Sequence, residues 1–384
     1  MACGASGETQ FVDEVAVVAQ QVLPEVERAV GLKFKYPPAV AVRTREEVHA
    51  YLLGKLDTDF PEEEMANITR VYHLLGAIPG DLDLRALVVD LYTEQVVGYY
   101  DPSTDSLYVV AGSDPAGVKL VVAHELVHAL QAQYIELDSI LSARGNNDAR
   151  VAVQAVLEGQ GLLASLVAVM PGQDFSAMPE FWTQFRESVR QSQESMPVFA
   201  SAPLFIREGL IFPYLGGAEF LRWFNEEYPG SVPFDDRMPR STEQILDSER
   251  YTLGDEPVEL AFVDAEGVIY EDNLGQFETR VLVSEIAGNE STGAAAARDW
   301  GGDRFVLLEA DGDQALVWWS VWDNAQAARR FGTVMEREWA KRHEPGREVR
   351  VSRGMVGELP AVVFVNAPEG WAGLDQPPTV ESVR

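Results

Sequence analysis

The residues best suited to chemistry are His124, Glu125 and His128, which lie together in one apolar stretch of the chain. On a helix, residues four positions apart are separated by only about 40° around the axis, so both imidazoles can bind one metal ion. A carboxylate between them faces the open side of that ion, where it can accept a proton from a water molecule. The spacing therefore predicts a zinc site with Glu125 as the general base.

A buried helix has to carry these side chains. The neighbouring residues are almost all aliphatic, as expected of a helix inside a core: Val121, Val122, Leu126, Val127 and Leu130. The chain has five histidines, and two of them have the spacing of metal ligands. The alternative interpretation is a core helix in which the two histidines make only structural hydrogen bonds.

A third protein ligand is required, because a tetrahedral zinc ion that keeps one position open for water needs three. A histidine or aspartate six residues after His128 would fit the metzincin pattern, but Tyr134 stands there. Glu158 is favoured because it lies in a second apolar stretch, where an unpaired carboxylate would be costly. Glu136 and Asp138 are the alternatives, although both follow His128 closely.

The arrangement of His124, His128 and the pair Glu158-Gly159 resembles the gluzincin branch of the zincin metallopeptidases, in particular a group of bacterial exported proteins. The similarity extends to residues 129–133, 213–220, 239–246 and 299–304. The resemblance implies a zincin-like catalytic domain with a small N-terminal sheet, an active-site helix and a helical lower lobe. It also implies Zn2+ as cofactor, a peptide or protein as substrate, and hydrolysis with Glu125 as the base.

Two positions depart from the gluzincin pattern. Thermolysin-type gluzincins have an aspartate four residues after the ligand glutamate, where it orients a ligand histidine, whereas this sequence has Leu162. The pair Asp247-Ser248 stands where the resemblance predicts His-Pro, so a helper histidine is missing. The groups that orient the zinc ligands are therefore not identified by the resemblance.

Tyr214 is the candidate donor of a hydrogen bond to the oxyanion that forms during peptide hydrolysis, because His49, His73 and His343 lie outside the expected region. A buried structural tyrosine is the alternative interpretation. Asp148 and Gln154 are candidates for orienting the ligands, or else they are a helix N-terminal charge and a solvated polar group.

The composition excludes some partners. A formal net charge of −31 argues against binding to nucleic acids or to anionic lipid, since both require a basic surface. No apolar run is long enough to predict a transmembrane span. The start of the chain, residues 1–8, resembles that of a mature bacterial lipoprotein, which implies a lipid anchor at Cys3 and an extracytoplasmic location. A chance cysteine in a disordered terminus is the alternative.

The pattern along the chain predicts an α+β protein of two domains. Residues 1–8 are expected to be a disordered leader or tether, residues 9–257 the gluzincin-like domain, and residues 258–384 a small α+β accessory domain. In the first domain we expect helices at 9–30, from 45 to 53 after a capping box, and at 62–75, a strand at 39–43, and a hairpin at 95–110. The strand preceding the zinc helix should line the cleft and pair with an extended substrate.

Further predictions concern the later residues. A break at 212–217 should precede a helix that runs through Phe224. In the second domain, helices are expected at 274–286 and 325–342, and strands at 305–309, 315–321, 349–351 and 361–365. Residues 299–304 should form a tight turn before a strand, and Trp300, if exposed, could serve recognition.

Three functions are compatible with these features. A zinc metallopeptidase is favoured, because the general base Glu125 is present. A zincin-fold protein of the cell envelope that acts as a binding or scaffold module with a structural or vestigial zinc site is the main alternative. Metal-dependent hydrolysis of a non-peptide amide is the third.

Overall fold

The structure is a computed structural model that describes residues 2–136, 144–173, 175 and 178–383. The elements up to residue 132 are α1 (Ala2–Val30), β1 (Ala39–Arg43), α2 (Arg45–Asp59), α3 (Glu62–Leu74), α4 (Leu84–Gln95), β2 (Gly98–Asp101), β3 (Ser106–Val110) and α5 (Pro115–Ala132). The next elements are helical: α6 (Asn147–Val169), α7 (Pro179–Glu194), α8 (Pro197–Ser201), α9 (Leu204–Glu227), α10 (Thr242–Leu246) and α11 (Ser248–Leu253).

The last third contains most of the strands. Its elements are β4 (Glu259–Phe262), β5 (Val268–Asp272), α12 (Gly275–Ala287), α13 (Glu290–Ala296), β6 (Trp300–Ala310), β7 (Asp313–Trp322), α14 (Ala325–Trp339), β8 (Arg347–Val356), β9 (Leu359–Pro368) and β10 (Val380–Val383). The predicted α+β class is confirmed. The predicted capping box is confirmed too, since Thr44 and Glu47 cap the start of α2 reciprocally. The elements α4, α13, β4, β5 and β10 were not predicted.

The N-terminal sheet has the order β1-β3-β2, with β1 parallel and β2 antiparallel to β3. The strand that precedes α5, which is β3, is therefore central, and both of its edges are paired. The prediction that a substrate pairs with this strand is wrong, because its backbone hydrogen bonds already go to β1 and β2. The two neighbouring strands, β1 and β2, occupy the edges of the sheet.

One apolar cluster holds α5 in place. The first helix, α1, buries Val15, Val22 and Val26 against Val122 and Leu126 of α5, and each of these five side chains is at most 1% exposed. Helix α6 packs on the same cluster through two alanines at positions 164 and 168. Burial of this size favours the folded state by roughly 1.5–3 kcal/mol for each aliphatic side chain.

The predicted break at 212–217 is wrong, because α9 continues through Pro213 from residue 204 to residue 227. A proline inside a helix removes one backbone hydrogen bond and costs about 3 kcal/mol. Packing offsets that cost: Phe212 is buried and stacks on Phe277 of α12, with ring centroids 3.8 Å apart. Leu215 is buried as well. Tertiary contacts on both sides of the proline thus keep the helix continuous.

The last third forms a five-stranded antiparallel sheet with the order β5-β6-β7-β9-β8, and a ribbon of β4 with β10. The turn predicted at residues 299–304 is limited to Asp299, which has a φ of +62°, and the prediction is wrong for residues 300–304, which already belong to β6. Trp300 is fully buried, so the idea that it serves recognition is wrong. In the same segment the carboxylate of Asp303 accepts hydrogen bonds from the backbone N–H groups of Leu274 and Gly275, where α12 starts.

Residues on both sides of the predicted boundary at position 257 share one hydrophobic core. It contains Phe212 and Phe224 from α9 together with Phe277, Trp318 and Phe364 from the last third. The two parts therefore stabilise one another, and the division at residue 257 stays a prediction.

The N-terminal end of α6 is fixed by the last third of the chain. The backbone N–H of Asn147 donates to Asp272 Oδ1 at 2.8 Å, and that of Asp148 donates to Asn273 Oδ1 at 2.9 Å. Side-chain acceptors of this kind satisfy N–H groups that have no partner inside the helix. Because α6 carries Glu158, the end of β5 and the residue after it help to set the position of that side chain.

Helix α6 is long and apolar enough to cross a membrane by length and composition. Within this helix, however, 67% of an apolar 18-residue window is buried inside the fold. Core helices of folded proteins have the same length and composition, so these two properties are weak evidence for a span. Cys3 lies in α1, and its predicted lipid anchor stays a prediction.

Candidate metal centre

Helix α5 presents the two histidines on one face. The Nε2 atoms of His124 and His128 lie 3.0 Å apart, and the ring planes meet at 84°. Val122, Leu126 and Val127 on the other faces are at most 1% exposed, so the helix can rotate little without exposing its apolar surface. The two Nε2 atoms therefore lie close enough to bind one metal ion.

Glu158 from α6 completes the group. Its Oε2 atom lies 3.2 Å from His124 Nε2 and 3.4 Å from His128 Nε2. Zinc bonds of about 2.0–2.2 Å in a tetrahedron place the ligand atoms roughly 3.3 Å apart, so the donor set and its spacing fit this ion. Glu136, one alternative ligand, is exposed, and Asp138, the other, lies outside the described residues. Among the residues that the structure describes, His124, His128 and Glu158 form the one close group of potential metal ligands.

The charges of the group are coupled. Burial by itself would lower the pKa of His128, but the carboxylates of Glu158 and Glu125 raise it to about 9. Burial would likewise raise the pKa of Glu158, whereas the two imidazoles hold it well below its ordinary value. Glu158 thus favours the protonated form of the His128 imidazole. A divalent cation that binds there displaces that proton.

Glu125 lies next to the edge strand β2. It is only 8% exposed. A Cβ atom added to Gly98 of β2 would lie 2.7 Å from Val121 Cγ1 and 3.8 Å from Glu125 Cγ. The absence of a side chain at position 98 therefore lets the edge strand β2 approach α5 at Glu125.

Tyr214 of α9 lies beside His124. Its ring stacks on that of His124, with centroids 6.0 Å apart and planes 26° apart. The charge of Glu158 raises the pKa of Tyr214 well above its ordinary value, and burial of the hydroxyl adds to the effect. The phenol therefore keeps its proton and can donate a hydrogen bond. The residue is 38% exposed, so the description of a buried structural tyrosine is wrong.

Glycines set the distance between the helices that carry Glu158 and Tyr214. A Cβ atom on Gly217 would lie 1.8 Å from Ala155 O, and one on Gly159 would lie 2.2 Å from the carbonyl carbon of Gly217. Side chains at these positions would force α6 and α9 apart. The close crossing places Glu158, one residue before Gly159, beside Tyr214, three residues before Gly217.

The two residues proposed to orient the ligands do not do so. Asp148 is fully buried, but its Oδ1 atom accepts a hydrogen bond from the backbone N–H of Thr242 at 3.0 Å. It lies ten residues before Glu158, which is about 15 Å along a helix. In the described part of the chain, no hydrogen bond joins Gln154 to a ligand. Leu162 packs in apolar clusters near α7 and α9, so it does not orient a ligand histidine.

Two residues near the ligands were missed in the sequence. Gln131 is fully buried, and its Oε1 atom lies 2.9 Å from His128 Nδ1. A polar residue three positions after His128 in an apolar run was the available signal. Tyr92 of α4 is 44% exposed, and burial of its hydroxyl and the charge of Glu158 raise its pKa. No local sequence signal marked Tyr92, because α4 itself was not predicted.

Comparison with known proteins adds one finding. The model of a family described as a domain of unknown function (DUF8575) matches residues 252–372. This stretch lies after His124, His128 and Glu158 and overlaps most of the last third of the chain. No curated protein matches the sequence. No solved structure matches it either. The function has to be inferred from the site itself.

Proposed function

We propose that this protein is a zinc-dependent peptidase of the gluzincin type, with His124, His128 and Glu158 as metal ligands and Glu125 as the general base. The observation that supports this most strongly is the convergence of three ligand atoms within 4.8 Å of one another. Two imidazoles and one carboxylate are the donor set of catalytic zinc sites that keep one position open.

Bound zinc would supply a Lewis acid that polarises the substrate carbonyl and lowers the pKa of water at its open position. The protein contributes the remaining steps. Glu125 accepts the proton of the attacking water and passes it to the nitrogen of the leaving amine. Tyr214, which keeps its proton, donates a hydrogen bond to the oxygen on which negative charge develops.

The substrate chain would lie along β2. This strand is at the edge of the sheet and passes close to Glu125 at Gly98. An extended peptide can add to such an edge through backbone hydrogen bonds, which hold it largely independently of its sequence. The edge strand thus replaces β3 as the proposed site of substrate pairing.

The test combines metal analysis with a variant of the base. Full-length protein is analysed for zinc by mass spectrometry and incubated with a peptide library, and Glu125→Gln is compared with Glu136→Gln, which alters an exposed glutamate. We expect stoichiometric zinc in all three proteins. Cleavage should fall by about 10²–10⁴-fold only in Glu125→Gln, because general base catalysis contributes that much.

Each outcome bears on a different part of the proposal. Stoichiometric zinc without any cleavage by the unmodified protein would contradict a peptidase and favour a binding or scaffold protein. Cleavage of small amides but not of peptides would favour the non-peptide hydrolase. Activity that survives Glu125→Gln would contradict the role of Glu125 as the base.

A further inference from the structure

Gln131 touches both of the helices that carry the metal ligands. Its side chain lies between α5 and α6 and is fully buried. The amide oxygen is 2.9 Å from His128 Nδ1, and the amide nitrogen donates to Leu157 O at 3.1 Å and to Gln160 Oε1 at 3.0 Å. Leu157 immediately precedes Glu158. One side chain therefore contacts a ligand histidine and the backbone next to the ligand carboxylate.

The orientation of the Gln131 amide follows from its partners. The carbonyl of Leu157 can only accept a hydrogen bond, so the –NH2 group of Gln131 must face it. The amide oxygen then faces His128 Nδ1, which must carry the proton in order to donate. In the neutral ring that leaves the lone pair on Nε2, the atom that lies beside His124 Nε2 and Glu158 Oε2.

We infer that Gln131 is a positioning residue of the metal site. It fixes the tautomer and the ring orientation of His128, and it ties the backbone before Glu158 to the same amide. Gln131 would thus supply an orienting contact of the kind that thermolysin-type gluzincins obtain from the aspartate at the position of Leu162. The inference rests on the proposed zinc site, and it predicts metal affinity, a property that can be measured without any substrate.

Gln133 offers a matched control two residues away. It is also buried, and its Oε1 atom accepts a hydrogen bond from the backbone N–H of Lys35 at 2.8 Å. Its amide nitrogen donates to Tyr36 O at 2.8 Å. These contacts hold a loop against the end of α5, and none of them involves a metal ligand. A change at Gln133 removes comparable hydrogen bonds without touching His128.

The experiment measures zinc affinity by competition with a chromophoric chelator at pH 7, using the full-length chain. Gln131→Met should bind zinc about 10–100-fold more weakly than the unmodified protein, the loss expected when a group that orients a ligand is removed. Gln133→Met should stay within about threefold, although both variants should lower the midpoint of urea unfolding. Gln131→Glu keeps an acceptor for His128 Nδ1 and should bind zinc more tightly than Gln131→Met.

A second measurement needs no variant. Long-range proton–nitrogen correlation spectra of the zinc-loaded protein should show the His128 proton on Nδ1. Equal zinc affinity of Gln131→Met and Gln133→Met, or a proton found on Nε2, would overturn the inference. Absence of zinc binding by the unmodified protein would overturn both the inference and the zinc site. Zinc binding without peptide cleavage would contradict only the peptidase.

Discussion

Gly159 and Gly217 are in backbone contact where α6 crosses α9, with the Cα atom of Gly159 only 3.1 Å from the place that a Cβ atom on Gly217 would occupy. This contact governs how far Glu158 lies from Tyr214, because each glycine is within one helical turn of one of those residues. The geometry of the proposed site thus depends on two glycines that have no side chain to take part in catalysis or metal binding.

Gly217→Ala should destabilise the protein by about 3 kcal/mol or more, because the added methyl group would overlap Ala155 O and force the helices apart. Gly209→Ala on the same helix adds a methyl group in open space and should stabilise by about 0.5–1 kcal/mol, since alanine is the better helix former. Urea unfolding of both variants tests this. Equal stability of the two would contradict the close crossing.

Tyr214→Phe should lower kcat by about 10²–10³-fold with little change in KM or zinc content, because the hydroxyl acts on the oxyanion and not on the bound substrate. Tyr92→Phe is the matched variant, since Tyr92 also lies near Glu158 and is similarly exposed. We expect kcat of Tyr92→Phe to fall by only a few-fold, as measured by steady-state kinetics on a cleaved peptide. A larger loss in Tyr92→Phe would transfer the role of donor to that residue.

Glu158→Ala should reduce zinc affinity by more than about 100-fold, which exceeds the loss expected for residues that only orient ligands. Removal of the carboxylate leaves two imidazoles as protein ligands. Glu136→Ala removes the exposed alternative and should retain zinc fully. Chelator competition at neutral pH measures both. Retained zinc in Glu158→Ala, with loss in Glu136→Ala, would assign the third ligand to Glu136.

Asp148→Asn should make the stability of the protein less dependent on pH. Burial, reinforced by the charge of Asp303, raises the pKa of Asp148 to about 7, although hydrogen bonds from Thr242 oppose the shift. The folded state then holds this proton more tightly than the unfolded state, so its contribution is most favourable below pH 4 and is lost as the pH rises through 7. A rise in the pKa of Asp148 from 3.8 to about 7 corresponds to roughly 4 kcal/mol in the free energy of unfolding.

The measurement is the free energy of unfolding in urea between pH 4 and pH 8. The unmodified protein should lose stability over that range, and Asp148→Asn should lose less, because its amide oxygen still accepts from Thr242 without titrating. Asp236→Asn, at an exposed position, should follow the unmodified protein. Parallel curves for Asp148→Asn and the unmodified protein would contradict the raised pKa. Glu243, whose pKa burial raises to about 8, should contribute in the same direction.

Local sequence patterns predicted the parts of the fold that depend on local physics. The capping box at Thr44 and Glu47 is a contact between residues three positions apart, and the hairpin turn is closed by Ser103 N–H and Oγ–H donating to Asp101. The break predicted at Pro213 failed for the opposite reason. Burial of Leu215 and packing of Phe212 on Phe277, a residue far away in the chain, offset the local cost of the proline.

The sequence alone determined that His124 and His128 can bind one ion with Glu125 beside them, because helical periodicity fixes the directions of residues four apart. It did not determine the distance from either histidine to Glu158, since that depends on how α5, α6 and α9 pack. Tertiary structure decided that distance through the glycine crossing of α6 and α9, and it gave Gln131 its contact with both ligand helices. It also placed β3 in the centre of the sheet and β2 at an edge. Pairing between strands is a long-range property that no local pattern encodes.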